Sequence, residues 1–392
     1  LSPDPLGRLA EALGSPNAYA YVNNNPASYI DPWGLVLFAF DGTNNDESNL
    51  DRLSNVVYFR DLYNNGNARY ITGVGTIHKD KDYGDIHAPV LDAGVAWSGP
   101  ERIERMIIYF EEEANAFKDH DVMDVDIIGF SRGAAQARDF ANRIAARVKN
   151  GWYSYKDKNG NEKCQKVNLR FMGLFDTVLS TNLSGYSYNL GIPEEFSYVA
   201  QAVALNEYRG KTLRSLPGSV GAFPLESIMD GTYGQPPTSG QVRIERGFLG
   251  SHSDIGGGFE QRDLSTIALN WMVDQAGKAG LKMHAAPGVV IANPVLHDKS
   301  DNLYSPTGAP AANGEDRQIR YRDGSTTTQR AMVASSGMNW SDTGELIDYL
   351  PRVTDQDGNV VPRADFVTGT VKMQDYLNWL NKNNYNINMT VH

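Results

Sequence analysis

The chain has 392 residues, 41% of them hydrophobic and 21% charged, which is ample material for one large or two medium globular domains. Its net charge of -11 and isoelectric point near 5.2 exclude the basic face that non-specific nucleic-acid binding needs. A single cysteine, Cys164, excludes an intramolecular disulfide and a cysteine-rich metal site, and there is no 18-residue apolar run.

Residues 1–35 differ in character from the remainder of the chain. They hold five prolines, the run Asn23 to Asn25, and two Asp-Pro-x-Gly units, Asp4-Pro5-Leu6-Gly7 and Asp31-Pro32-Trp33-Gly34. LSPDPLGRLAEALG does not read as a secretory leader, so export by another route, or as part of a longer chain, is the expectation. From Val36 onward, apolar strand patterns alternate with helical ones. Strands are expected at 36–40, 68–74, 125–128, 167–175 and 242–249, and helices at 50–63, 101–118, 134–148, 195–209 and 264–279. Strands spaced by helices of this length imply an α/β fold with a mostly parallel sheet covered on both faces. Residues 282–320 read as long loops, with a strand near 317–322 and a short helix at 373–381. The expected division is 1–35, then a second unit over 36–392, with its core in 36–280 and an irregular part in 281–392.

The most informative stretch is VDIIGFSRGAA, Val125 to Ala135. An apolar strand runs into Gly129-Phe130-Ser131-Arg132-Gly133 and then into a helix with Ala134, Ala137, Phe140, Ala141 and Ile144 on one side. This strand, tight turn and helix with a serine at the apex is the nucleophile-elbow arrangement, in which the glycines let strand and helix approach closely. The plainer reading is a serine capping a helix after a buried strand. For an oxyanion hole, the Arg132 amide at the helix N-terminus and an amide from the first-strand loop, Gly42 or Thr43, are the expected donors. Gly256-Gly257-Gly258 lacks the lysine and spacing of a phosphate loop, and no metal or cofactor is called for.

A serine hydroxyl needs a base, and the base needs an orienting carboxylate. Asp41, Asp176 and Asp254 each follow an expected strand, and His252, His284, His297 and His392 follow Ser131 in sequence. Two sets compete: Ser131 with Asp254 and His297, or Ser131 with Asp176 and His252. The first is preferred, because a loop histidine at 297 could swing onto the serine while His252, on a rigid strand end, would shape the pocket with Asp41. An aspartate-nucleophile phosphatase, suggested by FAFDGT, needs a carboxylate where Ala39 stands.

Two resemblances bear on this reading. SPDPLG and NAYAYVNNNPASYIDPWGL resemble the end of the core of Rhs proteins, repeat shells that carry toxins at their C-termini. This implies self-cleavage between Leu35 and Val36, with Asp4 and Asp31 as the carboxylate pair. FAFDGTNND, ITGVGT, GFSRGAA, MGLFDTV, ALNEYRG, GSHSDIGGGF, LNWMVDQA and VLHDKS are similar, in order, to the motifs of the α/β-hydrolase family that includes the first group of type VI secretion lipase effectors. That similarity implies an antibacterial phospholipase with its triad on Ser131, Asp254 and His297. It also implies delivery by the secretion spike to the target-cell membrane from the periplasm, and a cognate immunity protein. Phe175 replaces a frequent Trp, and Asn206-Glu207-Tyr208-Arg209 replaces Asp-Glu-Arg, which puts an ion pair there in question. A non-lipase esterase and a non-catalytic recognition tip are the competing functions.

Overall fold

The computed structural model describes residues 35–64, 66–87, 98–117, 122–179, 186–204, 207, 209, 223–229, 240–248, 250–286, 289–291, 296–297, 317–328, 353–354, 360–361 and 389–391. The described chain is α/β. Six parallel strands form the centre of the main sheet: β1 (Leu35–Phe40), β2 (Asn67–Ile71), β3 (Met123–Phe130), β6 (Glu162–Phe175), β7 (Tyr198–Ala204) and β9 (Val242–Phe248). They lie in the order β2-β1-β3-β6-β7-β9. The chain leaves β1 for one side to make β2 and then crosses to the other side to make β3. The resulting crevice between the ends of β1 and β3 is where ligands bind in open α/β sheets.

Helices cover both faces. α1 (Asn55–Leu62) and α5 (Asp263–Lys278) pack on one side, where Val56, Phe59, Leu264, Ile267 and Trp271 meet Leu37, Ile128 and Phe171. α2 (Gly99–Ala116) and α3 (Ser131–Ala145) cover the other, where Ile103, Phe110, Phe140 and Ile144 meet Val36, Phe38 and Ile127. Adjacent residues of β1 serve opposite faces, so all six are buried. This accounts for its unbroken apolar run.

β6 has two roles. Its first half pairs antiparallel with β5 (Trp152–Lys156), which pairs with β4 (Val148–Lys149), and its second half pairs parallel with β3 and β7. The burial matches this division, alternating over 165–169 and continuous from Phe171 to Phe175. At the bulge within the parallel half, opposite Val125–Asp126, Arg170 reaches Asp126 at 2.5 and 3.0 Å, and Tyr63 Oη donates to Asp126 at 2.8 Å. The one carboxylate buried in the middle of β3 is thereby paired.

Several expectations shift. The helix expected over 195–209 is instead β7, an interior strand. Its alanines suit a helix, but burial between β6 and β9 overrides that propensity. Buried Gln201 is satisfied there, receiving the Thr177 hydroxyl and donating to Glu226 O at 3.1 Å and Glu245 Oε2 at 2.7 Å. The β4–β5 hairpin was not expected. The first helix begins only at Asn55, after a 3-10 turn at Leu50–Arg52. β1 begins at Leu35, so the expected cleavage point lies inside the strand, between its first two residues. Asp4 and Asp31 lie outside the described residues, as does the helix expected at 373–381.

The later chain adds small sheets. β8 (Leu225–Glu226) pairs with β12 (Gln318–Arg320), which pairs with β13 (Thr326–Thr328). β10 (Val289–Ile291) pairs with β16 (Met389–Val391), and β11 (Leu296–His297) pairs with β14 (Val353–Thr354), itself beside β15 (Val360–Val361).

A Cβ at position 133 would lie 2.2 Å from Asp41 O and 2.5 Å from Phe40 O. Gly133→Ala is therefore expected to lower stability by more than about 3 kcal/mol. At Gly277, near the end of α5, a Cβ meets nothing within 4 Å. Gly277→Ala is expected to raise stability by roughly 0.5–1 kcal/mol. Urea titration of the two variants beside the parent checks both signs.

Candidate active site

Ser131 sits at the junction of β3 and α3 with φ 59°, the left-handed region that non-glycine residues seldom occupy. The strain is held by packing on both sides. A Cβ on Gly129 would come within 2.8 Å of Ala134 Cα, and Gly133 abuts the β1 carbonyls. The ring of Phe130 fills the space between the loop after β1 and the short helix that ends at Gly256, since a Cβ on Gly42 would lie 2.4 Å from it and one on Gly256 only 1.9 Å. The Ser131 carbonyl accepts from Val178 N at 3.3 Å, which ties the elbow to the loop after β6.

Of the carboxylates expected at strand ends, Asp41 follows β1 and Asp176 follows β6, whereas Asp254 lies within a short helix, His252–Gly256, after β9. Asp41 is buried; Gly42 N donates to its Oδ1 at 2.7 Å and Tyr70 Oη to its Oδ2 at 2.6 Å. Burial pushes its carboxyl up to about 6, against hydrogen bonds from Ser54, Tyr70 and Gly42. The Gly42 amide, an expected oxyanion donor, is thus already engaged by Asp41. Thr43 plays a different part: its Oγ1 accepts from Arg132 Nε at 2.6 Å, joining the first-strand loop to the elbow helix. The Arg132 amide lies in the first turn of α3, where helix N–H groups have no intrahelical acceptor.

Both competing His–Asp pairs are formed, and a single short helix, α4 (His252–Gly256), carries one member of each. In the first, His252 Nδ1 meets Asp176 Oδ2 at 2.6 Å. Asp176 also receives Ala204 N at 2.9 Å, Arg317 Nη1 at 2.9 Å and Arg317 Nη2 at 2.8 Å. Four donors fill its four acceptor positions. Burial works to raise the Asp176 carboxyl, but the Arg317 charge and the hydrogen bonds from His252 and Arg317 outweigh it and hold the group far below the usual carboxylate range. An ionised Asp176 requires the His252 tautomer with the proton on Nδ1, leaving Nε2 as the basic nitrogen. Burial lowers the His252 imidazolium's pKa, opposed by Asp176. His252 Nε2 is buried with no hydrogen-bond partner among the described residues. Its ring lies 4.7 Å from Phe130 and 5.0 Å from Phe223.

The second pair is differently engaged. His297 Nδ1 meets Asp254 Oδ1 at 2.7 Å and its backbone N–H donates to Asp254 Oδ2 at 3.0 Å. Ser251 N and Oγ also donate to that oxygen, completing a capping box on α4. His297 Nε2 faces Gln261 Oε1 at 3.3 Å, and Phe259 stacks on the ring with centroids 3.8 Å apart. His297 is not on a swinging loop but in the short strand β11, and His252 opens a helix instead of ending a strand. The two pairs thus differ in how they are engaged: among the described residues His252 keeps a ring nitrogen without a partner beside the elbow, whereas both nitrogens of His297 face protein partners.

Sequence reasoning missed three supports. Arg317 is 141 residues from Asp176; the strand expected near 317–322 is there as β12, but nothing local marks the arginine just before it as a partner of Asp176. The Glu207–Arg209 ion pair, put in question by the altered motif, is made at 2.6 and 2.7 Å. Glu207 Oε2 also receives His252 N at 3.2 Å, and Arg209 lies over the Phe223 ring. Phe130 is a strand hydrophobe by pattern; its role as a wedge depends on glycines from distant loops.

Residues 145–275, about a third of the chain, match the family model for the type VI secretion phospholipase effector Tle1-like catalytic domain. The matched stretch contains Asp176, His252 and Asp254 and leaves Ser131 and His297 outside. An uncharacterised protein of Saccharomyces cerevisiae is 31% identical over 107 residues, which make up 26% of this chain and 15% of the yeast protein. A crystal structure of an uncharacterised protein from Pseudomonas aeruginosa aligns with TM-score 0.40 and 21% identity over 64% of this chain and 46% of that one. The chain thus spans less than half the length of either of these two proteins. The structure of the Tle1 effector bound to the VgrG spike of the type VI secretion system aligns with TM-score 0.41 and 20% identity, over 64% and 74% of the two chains.

Asp41 yields a pH prediction. Below about 4 its carboxyl is protonated both folded and unfolded; as pH rises toward 6 the unfolded chain ionises first, and the folded state loses up to about 3 kcal/mol. Asp41→Asn escapes this loss. Its stability relative to the parent is expected to rise by about that amount between pH 4 and pH 7. Unfolding titrations at both pH values check it, and a pH-independent difference would show a carboxyl of ordinary acidity.

Proposed function

We propose that this chain is a type VI secretion phospholipase effector: a serine hydrolase of the α/β-hydrolase type that cleaves carboxyl esters of membrane phospholipids. The family match over residues 145–275 supports the class of enzyme. The observation that carries the mechanism is the buried Nε2 of His252, without a hydrogen-bond partner among the described residues, on a ring held by ionised Asp176 and packed on the residue before Ser131.

In this reading Ser131 is the nucleophile, His252 the base and Asp176 the group that orients it, in place of Asp254 and His297. His252 Nε2 takes the hydroxyl proton as Oγ bonds to the ester carbon. The carbonyl oxygen, now negative, is held by the Arg132 amide and an amide of the first-strand loop, for which Thr43 is the better candidate because Gly42 already serves Asp41. The imidazolium then protonates the leaving lysolipid oxygen, and a water repeats the sequence to release the fatty acid and restore Ser131. Asp254 and His297 anchor α4 and so fix where His252 stands.

In the same proposal the Rhs-like stretch marks the end of a shell. The domain is freed from it by cleavage after Leu35, with Asp4 and Asp31 as the cutting carboxylates, and is carried by the spike. It then acts on the target-cell membrane from the periplasm, with an immunity protein protecting the producer.

Ser131→Ala is expected to abolish fatty-acid release from phospholipid vesicles, monitored by mass spectrometry of the products. His252→Ala and Asp176→Asn should each lower kcat by roughly 10³- to 10⁴-fold. His297→Ala and Asp254→Asn, measured on folded protein, should cost roughly 10-fold or less. The opposite ranking assigns the base to His297, and vesicle hydrolysis surviving Ser131→Ala would remove the serine mechanism altogether.

A further inference from the structure

We infer that Arg317, supplied by the C-terminal part of the chain, is a positioning residue for the hydrolytic reaction: its guanidinium fork fixes the Asp176 carboxylate in the one orientation that aims His252 at Ser131. The inference rests on the reading of Asp176 and His252 as the working pair.

Arg317 is delivered by an accessory sheet. It precedes β12, whose Ile319 and Arg320 are in parallel register with Leu225 and Glu226 of β8. β8 is fastened to the catalytic side of the main sheet: Glu226 N donates to Thr177 O at 2.9 Å, and Arg138 of α3 donates to Glu226 O at 2.8 Å. Ser227 N donates to Arg320 O at 2.8 Å and Arg320 pairs with Glu226 at 3.0 Å. The register of this small sheet therefore sets the position of Arg317 relative to Asp176-Thr177.

The contact is planar and two-pronged, Nη1 to Oδ2 and Nη2 to Oδ1, with Nη2 also on Ala204 O at 2.8 Å. Neither residue is exposed. A fork of this kind removes the rotational freedom of the carboxylate, which a point charge would leave. Asp176 itself stands at φ 42°, a strained backbone, so its side chain has a second reason to need an external clamp. The oxygen turned to the imidazole is Oδ2, and its bond to Nδ1 is what orients the ring.

The groups charged or titratable around His252 among the described residues are Asp176 after β6, Glu207 and Arg209 after β7, Arg317 before β12, and Asp254 on its own helix. Arg317 partly cancels the Asp176 charge that the imidazolium would otherwise feel. Removing it makes protonated His252 easier to form, so the acid limb of the rate profile should move to higher pH.

The test uses the full chain and a soluble p-nitrophenyl ester, with a fluorophosphonate counting active serines. Arg317→Met is expected to lower kcat by roughly 10- to 100-fold with KM within about 2-fold, and to move the acid limb of kcat/KM up by roughly one unit. Arg317→Lys keeps the charge without the fork, so it should lose kcat without moving the limb. Asp176→Asn and Asp176→Asn combined with Arg317→Met should have the same kcat, because the arginine acts only through the carboxylate. Parental kcat and an unmoved limb in Arg317→Met, or additive losses in the double variant, overturn the inference. If Arg317→Met does not fold, parental kcat in Arg317→Lys overturns it equally. Full activity of His252→Ala overturns the underlying reading instead, and that variant is run alongside to tell the two failures apart.

Discussion

The ring of Phe130 is the contact on which the site's geometry depends. It leaves β3 one residue before the serine and wedges between Gly42, after β1, and Gly256, at the end of the histidine-bearing helix; its centroid lies 4.7 Å from that of the His252 ring. Three pieces of chain far apart in sequence are thus gauged against one rigid hydrophobe. Interiors pack too densely for such a wedge to shift without moving its neighbours. The strained Ser131 backbone, the first-strand loop and His252 are therefore positioned together, and the glycines are required because any Cβ on them would occupy the ring's space.

Around this wedge two buried anions are each paired. Asp176 meets Arg317 and Glu207 meets Arg209, so these two ion pairs bring no net charge into the low-dielectric interior. Adding a proton to His252 places a further positive charge there, stabilised by the Asp176 carboxylate bonded to its ring. In the proposed mechanism that carboxylate steadies the proton His252 takes up during ester attack. The pair formed by Asp254 and His297 has a different setting, with Phe259 covering the ring and Gln261 at the far nitrogen. Through Asp254 it is tied to the N-terminus of α4.

The parts of the site carried by local pattern could be read from the sequence, and those assembled across distance could not. Val125 to Gly133 announces a strand, a tight turn and a helix because apolar runs and glycines act within a few residues. Asp41, Asp176 and Asp254 could be located because each follows a strand-forming run. The choice between His252 and His297 could not be read: it turns on which Nε2 is left unengaged, and that depends on Gln261 and Phe259 on one side and on Phe130 and Phe223 on the other. β7 was misread for a related reason. YVAQAVA has no period of two because both its faces are buried, and alanine's helical preference is outweighed by the two strands that flank it. The β4–β5 hairpin escaped notice because its partner, the first half of β6, is rich in lysine and glutamate on its exposed side.

The division of labour along the chain has the same geometric origin. The doubly wound core supplies the elbow, the crevice and the strand-end carboxylates, all with local sequence signatures. Arg317 and His297, both from the later chain, close on acids already placed by the core, Asp176 and Asp254. A carboxylate at a strand end has its backbone fixed but its side-chain torsions free, and ordering them costs rotamer entropy. Clamping each acid from outside the sheet confines those torsions. It also couples the orientation of the buried histidine to the docking of a segment that belongs to no helix or main-sheet strand. Arg317 and His297 thus reach the buried acids from the later chain. Without the two prongs of Arg317, Asp176 would keep among the described residues only the Ala204 amide and His252 as partners, and in the proposed mechanism the imidazole would be left to orient the carboxylate that has to orient it.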